Sequence, residues 1–133
     1  MGKGHLVLII EDNEDFQNLY GMTAEMAGFD VEQILDGEEA IKRLEREPIP
    51  AIVLLDARLP VVNGFEILHA ARSNAKWVNV PIYLLTADIR ATQPLRVNMA
   101  HASRANGIIE KGGDSIYKVR ELLARLKQEI GNK

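Results

Sequence analysis

Five short apolar runs recur along the chain: LVLII (6–10), FDVEQIL (29–35), AIVLLD (51–56), VPIYLL (80–85) and GIIE (107–110). They are rich in Val, Leu and Ile and mostly continuous rather than alternating, the pattern of strands buried on both faces of a parallel sheet. Parallel strands cannot be joined by tight turns; each pair needs a crossover of roughly a dozen residues or more, usually a helix. The segments between the runs carry that helical spacing. Phe16, Leu19, Tyr20, Thr23 and Met26 fall on one helical face, and Ala40, Ile41 and Leu44 on another. A third helix is expected from Asn63 or Gly64 through Phe65, Leu68 and Ala71, and a fourth around Leu95, Met99 and Ala102. A fifth should open at a cap, Asp114 or Ser115, and run through Ile116, Val119, Leu122, Leu123, Leu126 and Ile130. Strand and helix thus alternate five times, which predicts a doubly wound α/β domain with right-handed crossovers and helices on both faces.

A chain of 133 residues supports one core and not two. With no internal repeat, low-complexity tract or linker, residues 1–133 are expected to be a single domain, its core spanning about 5–130, with no output domain after the last helix. The absence of cysteine excludes disulfides and thiolate-ligated metals. The apolar runs are too short to cross a bilayer, and the start MGKGH lacks the basic-then-apolar design of a secretion signal. A net charge of −3 argues against direct nucleic-acid binding. The expectation is a cytoplasmic protein with no membrane contact.

In an open parallel sheet, sites form beyond the carboxyl ends of the strands. Those ends carry Glu11 and Asp12 after the first run, Asp56 in the third, Thr86 after the fourth and Lys111 after the fifth. Three carboxylates on one edge repel one another, and a hard divalent cation is the usual remedy. Mg²⁺ takes a few carboxylate oxygens together with waters and a phosphate oxygen. Asp56 is then the nucleophile that accepts a phosphoryl group as an aspartyl phosphate, with Thr86 and Lys111 holding its other oxygens. Glu14 and Asp15 read instead as the acidic first turn of helix one, which the helix dipole favours. Each of these residues alone has an ordinary reading as a cap, a surface lysine or a strand threonine; their set at successive strand ends is the signal. His5, His69 and His101 show no ligand spacing.

The stretches IIEDNED, LLDARLPVVNGFEIL, PIYLLTA and IIEK resemble the four motifs of the response-regulator receiver domain, and the resemblance spans Leu6 to about Ile130. It implies the flavodoxin-like (βα)5 fold with strand order 2-1-3-4-5, in the manner of a single-domain chemotaxis regulator. It further implies a phosphoacceptor switch of a two-component or phosphorelay system, not an enzyme but an acceptor that assists its own phosphorylation and dephosphorylation. The donor would be a histidine kinase or a histidine phosphotransfer protein, and the readout a surface of helix four, strand five and helix five offered to a downstream protein. By matching positions, Glu11, Asp12 and Asp56 would hold Mg²⁺ with the backbone carbonyl of Arg58, while Thr86 and Lys111 would contact the phosphoryl group. Ala87 is small where the phosphate approaches, and Pro60 and Gly64 fit the turn into helix three. Arg58 and Asp88 flank the pocket, where a pairing of opposite charge would hinder the hydrolytic water.

Three features depart from that pattern. Ile108 stands where the family commonly has Tyr or Phe, three residues before the lysine, and a β-branched chain has a restricted χ1 and no hydroxyl to exchange. Gly112 and Gly113 follow Lys111 where a cis Pro is usual; without Pro a trans bond is expected. The Thr86–Lys111 segment is longer than usual, with the excess near Ile89 to Pro94. Ile108 and the missing Pro favour an alternative, a receiver-fold interaction module that works without phosphorylation. A haloacid-dehalogenase phosphatase would need an acid where Arg58 stands, and a flavodoxin-like FMN site a hydroxyl- and glycine-rich loop where EDNED stands; neither fits.

Overall fold

The computed structural model describes residues 5–87 and 104–131. The fourth helical stripe, Asp88, the Ile89–Pro94 stretch and His101 lie outside those residues. Among the described residues the order is β1 (Leu6–Ile10), α1 (Glu14–Met26), β2 (Asp30–Ile34), α2 (Gly37–Arg43), β3 (Ile52–Asp56), α3 (Gly64–Arg72), β4 (Ile82–Thr86), β5 (Gly107–Glu110) and α4 (Ser115–Gly131). The strands form one parallel sheet in the order β2-β1-β3-β4-β5, as expected. All five residues of β3 are buried, in keeping with its continuous apolar run at the centre. The more polar β2 lies at the edge, with Asp30 and Gln33 exposed.

Successive side chains of one strand feed opposite faces. Leu8 and Ile10 of β1 and Val53 and Leu55 of β3 pack with α2 and α3, through Ala40, Leu44, Phe65 and Leu68. Val7, Ile9, Ile52 and Leu54 turn the other way, onto Tyr20 and Ala24 of α1 and Val119 and Leu123 of α4. Helix starts follow local chemistry: the side chains of Asn13, Asp36 and Asn63 accept from the backbone N–H three residues on, in Phe16, Glu39 and Glu66.

The buried face of α1 differs from the expected stripe. Gln17, Tyr20, Gly21, Thr23 and Ala24 are buried, whereas Leu19 and Met26 are exposed. The helix is rotated because Gln17 faces inward to serve backbone acceptors at the end of β1, so polar satisfaction outweighs the larger apolar side chains.

At the end of the sheet opposite the strand carboxyl ends, Arg43 is fully buried against Trp77, with its guanidinium carbon 5.5 Å from the ring centroid. Its Nε donates to both oxygens of Glu32 at 3.0 and 3.1 Å, and a terminal nitrogen donates to the Arg46 carbonyl at 2.8 Å. Arg72 ties the same region together, donating to the carbonyls of Trp77 and Val80 and to Asn106 Oδ1. Removing Arg43 would leave a void beside Trp77 and orphan its acceptors. Arg43→Ala should lower stability by about 2–4 kcal/mol, read as a lower urea midpoint at unchanged slope. Trp77 fluorescence should follow that unfolding yet move little when ligands bind at the far end of the sheet.

Candidate functional site

The order β2-β1-β3 makes the chain leave β1 to one side and return to its other side, so the topological switch falls between β1 and β3. A crevice for ligands is expected there. Strand register then assigns the depth of each group. Ile10 pairs with Leu55, which puts Glu11 level with Asp56; Asp56 pairs with Leu85, one residue before Thr86. Thr86 pairs with Glu110, and Lys111 follows, its N–H donating to the Thr86 carbonyl at 2.7 Å. The expected five strand-end positions therefore do share one edge.

Glu11, Asp56 and Thr86 are buried and Asp12 is exposed. Carboxylate oxygens of Glu11, Asp12 and Asp56 all lie within 4.8 Å of one another. The Lys111 ammonium is in direct ion-pair contact with Glu11 Oε1 and lies 3.2 Å from Asp56 Oδ2, with its side chain only 8 % exposed. Asp56 Oδ1 accepts the Arg58 N–H at 3.0 Å, and Glu11 Oε2 accepts that of Asn13 at 3.0 Å. The Arg58 side chain is exposed; its expected partner Asp88 lies outside the described residues.

Burial pushes the Glu11 carboxyl up to about 7, and Asp56 adds to that rise, although Lys111 and the Asn13 N–H oppose it. Burial also works against the Lys111 ammonium, but Glu11 and Asp56 outweigh it and hold that group above the ordinary lysine value. Lys111 therefore offsets the burial of the Glu11 charge only in part. Three oxygen donors this close, one of them buried and under-compensated, suit a hard cation such as Mg²⁺.

The loop after Asp56 is held by backbone contact. Gly64, which opens α3, donates to the Ala57 carbonyl at 3.1 Å, and a Cβ on it would sit 2.3 Å from the Asp56 carbonyl oxygen. Between them Val61 has φ of +68°, spanned by a Val62 N–H to Pro60 carbonyl bond of 2.8 Å. For a β-branched residue that backbone costs on the order of 1–3 kcal/mol. Lys111–Gly112 is trans, as expected without Pro, and Ile108 is partly exposed on β5.

Two supporting residues escaped the sequence reading. Asn13 caps α1, a role signalled by its place just before two acids. Gln17 is the other. Its Nε2 donates to the carbonyls of Ile9, Glu11 and Ile34 at 2.9, 3.1 and 2.9 Å, tying the end of β1 to the end of β2 beneath Glu11. Its signal was the spacing Gln17–Tyr20–Gly21–Ala24, a polar residue in line with an inward face. Two N–H groups serve three acceptors, a shared arrangement.

The response regulator receiver domain family model matches residues 7–127, and the chain belongs to that family. Among curated proteins it is 35% identical over 121 residues to the DNA-binding dual master transcriptional regulator RpaA of Synechocystis, covering 91% of this chain and 47% of that protein. It is 32% identical over 121 residues to the phosphate regulon transcriptional regulatory protein PhoB of Rhizobium meliloti, covering 91% and 50%. The chain thus spans about half the length of these relatives. Among solved structures, the receiver domain of sensor histidine kinase PA1611 from Pseudomonas aeruginosa, described with a magnesium ion coordinated in its active site cleft, superposes with TM-score 0.78 at 29% identity, covering 93% of this chain and 98% of that one. The Vibrio cholerae chemotaxis protein CheY4 gives TM-score 0.74 at 26% identity, covering 95% and 98%. The protein is a receiver domain homologous to two-component response regulators.

Gln17→Leu removes the donors to three strand-end carbonyls while keeping the volume of the side chain close. Stability should fall by about 1–3 kcal/mol, measured by urea unfolding, with amide exchange accelerated most at Glu11 and Ile34.

Proposed function

We propose that this domain is the phosphoacceptor switch of a two-component or phosphorelay system, with Asp56 the acceptor. The observation that carries the reading is the convergence of Glu11, Asp12 and Asp56 within 4.8 Å, with Lys111 bridging Glu11 and Asp56. Glu11, Asp12, Asp56 and the Arg58 backbone carbonyl would hold Mg²⁺. The bound ion would neutralise charge that develops on the transferring phosphoryl oxygens.

The chain's own groups account for the rest. A carboxylate oxygen of Asp56 attacks the phosphorus of a phosphohistidine on a histidine kinase or histidine phosphotransfer protein. The P–O bond forms as the P–N bond breaks, and the electron pair returns to the imidazole nitrogen. The Arg58 N–H, bonded to Oδ1, fixes the carboxylate plane. Lys111, freed from part of its pairing with Asp56 as that charge moves onto the phosphoryl group, follows it, and the Thr86 hydroxyl takes another oxygen. In self-assisted dephosphorylation a water oxygen attacks the phosphorus, the P–O bond to Asp56 breaks, and the free carboxylate and inorganic phosphate result, so the domain is an acceptor with a built-in timer rather than a turnover enzyme. Among the described residues no helix is long and apolar enough to cross a membrane, in keeping with a cytoplasmic setting. The downstream partner would be a protein that reads the β5 and α4 surface, where Ile108 and Tyr117 are exposed. Ile108 and Gly112 alone favoured a phosphorylation-independent module, and the assembled acid cluster favours chemistry instead.

Incubation with acetyl phosphate and Mg²⁺ should add one phosphoryl group by intact mass, absent without Mg²⁺ and absent in Asp56→Ala. No adduct on the unmodified chain would overturn the reading. Independently, Mg²⁺ at a hundredfold over its Kd should stabilise the fold by about 2.7 kcal/mol. That gain, measured by thermal unfolding, should shrink in Asp12→Ala.

A further inference from the structure

Lys111 must hold its ammonium between two carboxylates, yet the chain beyond it has little to hold it. Gly112 and Gly113 are exposed, and a Cβ built on either would meet nothing within 4 Å. Gly112 adopts φ of +155°, a backbone that glycine alone enters easily. On the upstream side Lys111 is tied to Thr86. Downstream, the Gly112 carbonyl accepts the Ser115 N–H at 3.1 Å, and two hydroxyls far apart in sequence add to that hold. Ser115, fully buried at the start of α4, donates through Oγ to the Gly112 carbonyl at 2.9 Å, and the Gly112 N–H points back to the same Oγ at 3.4 Å. Tyr20, fully buried on α1, lies with its hydroxyl 3.1 Å from Ser115 Oγ. Since Ser115 has one proton and spends it on Gly112, Tyr20 is the donor of that pair.

The same helix also reaches the other end of the lysine. Phe16 stacks on Tyr20 with ring centroids 5.8 Å apart and planes 14° from parallel, and the Lys111 ammonium lies 4.7 Å from the Phe16 centroid. One turn of α1 therefore grips Lys111 at its ammonium through a ring and at its backbone turn through a hydroxyl.

We propose that Tyr20 and Ser115 are positioning residues for Lys111: their buried hydroxyl pair pins the glycine turn to α1 and so aims the ammonium at Asp56. The proposal rests on the reading of Asp56 as the acceptor. Burial raises the Tyr20 phenol above its usual value, so it remains a protonated donor at neutral pH. The pair replaces side-chain packing that two exposed glycines cannot supply, and it connects the site to the first turn of α4 without using Ile108.

Tyr20→Phe deletes the hydroxyl and keeps the ring. At saturating Mg²⁺ it should slow phosphorylation of Asp56 by acetyl phosphate about threefold to tenfold, the loss expected for one buried hydrogen bond, while the Mg²⁺ Kd stays within about twofold. In a Lys111→Ala background the same substitution should change the rate by less than about 1.5-fold, because a residue acting through the lysine has nothing left to act on. An equal fractional loss in both backgrounds would mean general destabilisation and overturn the proposal. A second measurement needs no phosphorylation: the NMR order parameters of the Gly112 and Gly113 amides should drop in Tyr20→Phe and in Ser115→Ala. Unchanged values would refute the pinning by themselves. If the unmodified chain takes no phosphoryl group, the acceptor reading fails and the amide measurement still decides whether the hydroxyl pair holds the turn.

Discussion

The site is organised around two buried acids, Glu11 and Asp56, and the lysine ammonium that reaches both. Neither acid is free to move away: Glu11 is fully buried at the end of β1, and Asp56 is the last residue of the most buried strand. Lys111 answers both, but from the outer strand β5, across the width of β3 and β4. That requirement explains why register matters more than any one contact. Glu11 and Asp56 stand level, Thr86 lies one residue further along and Lys111 one beyond that, so the four groups ring one opening. A slip of one residue would turn an acid into the core and a leucine into the site.

Such an arrangement is charged for exchange. Incomplete compensation at Glu11 favours the arrival of a cation, and the pairing of Lys111 with Asp56 holds the lysine next to the place where negative charge would increase on phosphorylation. The polar supports serve the same end. Gln17 fixes the carbonyls under Glu11, Asn13 closes the loop above it, and the Arg58 N–H sets the plane of Asp56. None of these supports is part of either hydrophobic cluster.

The strands and the five strand-end residues were legible because continuous apolar runs are long enough to place and short enough to bound. Once strands are ordered, the residue after each has nowhere else to be. The orientation of α1 was not legible in the same way. Leu19 and Met26 have the spacing of core residues, and only the demand of three carbonyls for a donor makes Gln17 the inward residue. The burial of Arg43 was not legible either, because it depends on Trp77 and Glu32, which arrive from elsewhere in the chain. The Tyr20–Ser115 pair spans 95 residues, and no local pattern announces a contact of that separation. Periodicity reports which residues are apolar together, whereas these contacts depend on which polar atoms meet.

The two halves of the opening differ in how much room they leave. On the acceptor side, a single added carbon at Gly64 would collide with the Asp56 carbonyl, and one at Gly37 would come within 2.2 Å of the Val62 carbonyl. On the lysine side, Gly112 and Gly113 face open space. Added atoms are therefore tolerated unevenly: the acceptor wall admits almost none, Gly112 is barred by its φ of +155° despite the open space, and Gly113 alone of these four glycines has both room and an ordinary backbone. Because this glycine turn carries Lys111, a change there would reach the chemistry through the aim of the ammonium rather than by crowding the acceptor.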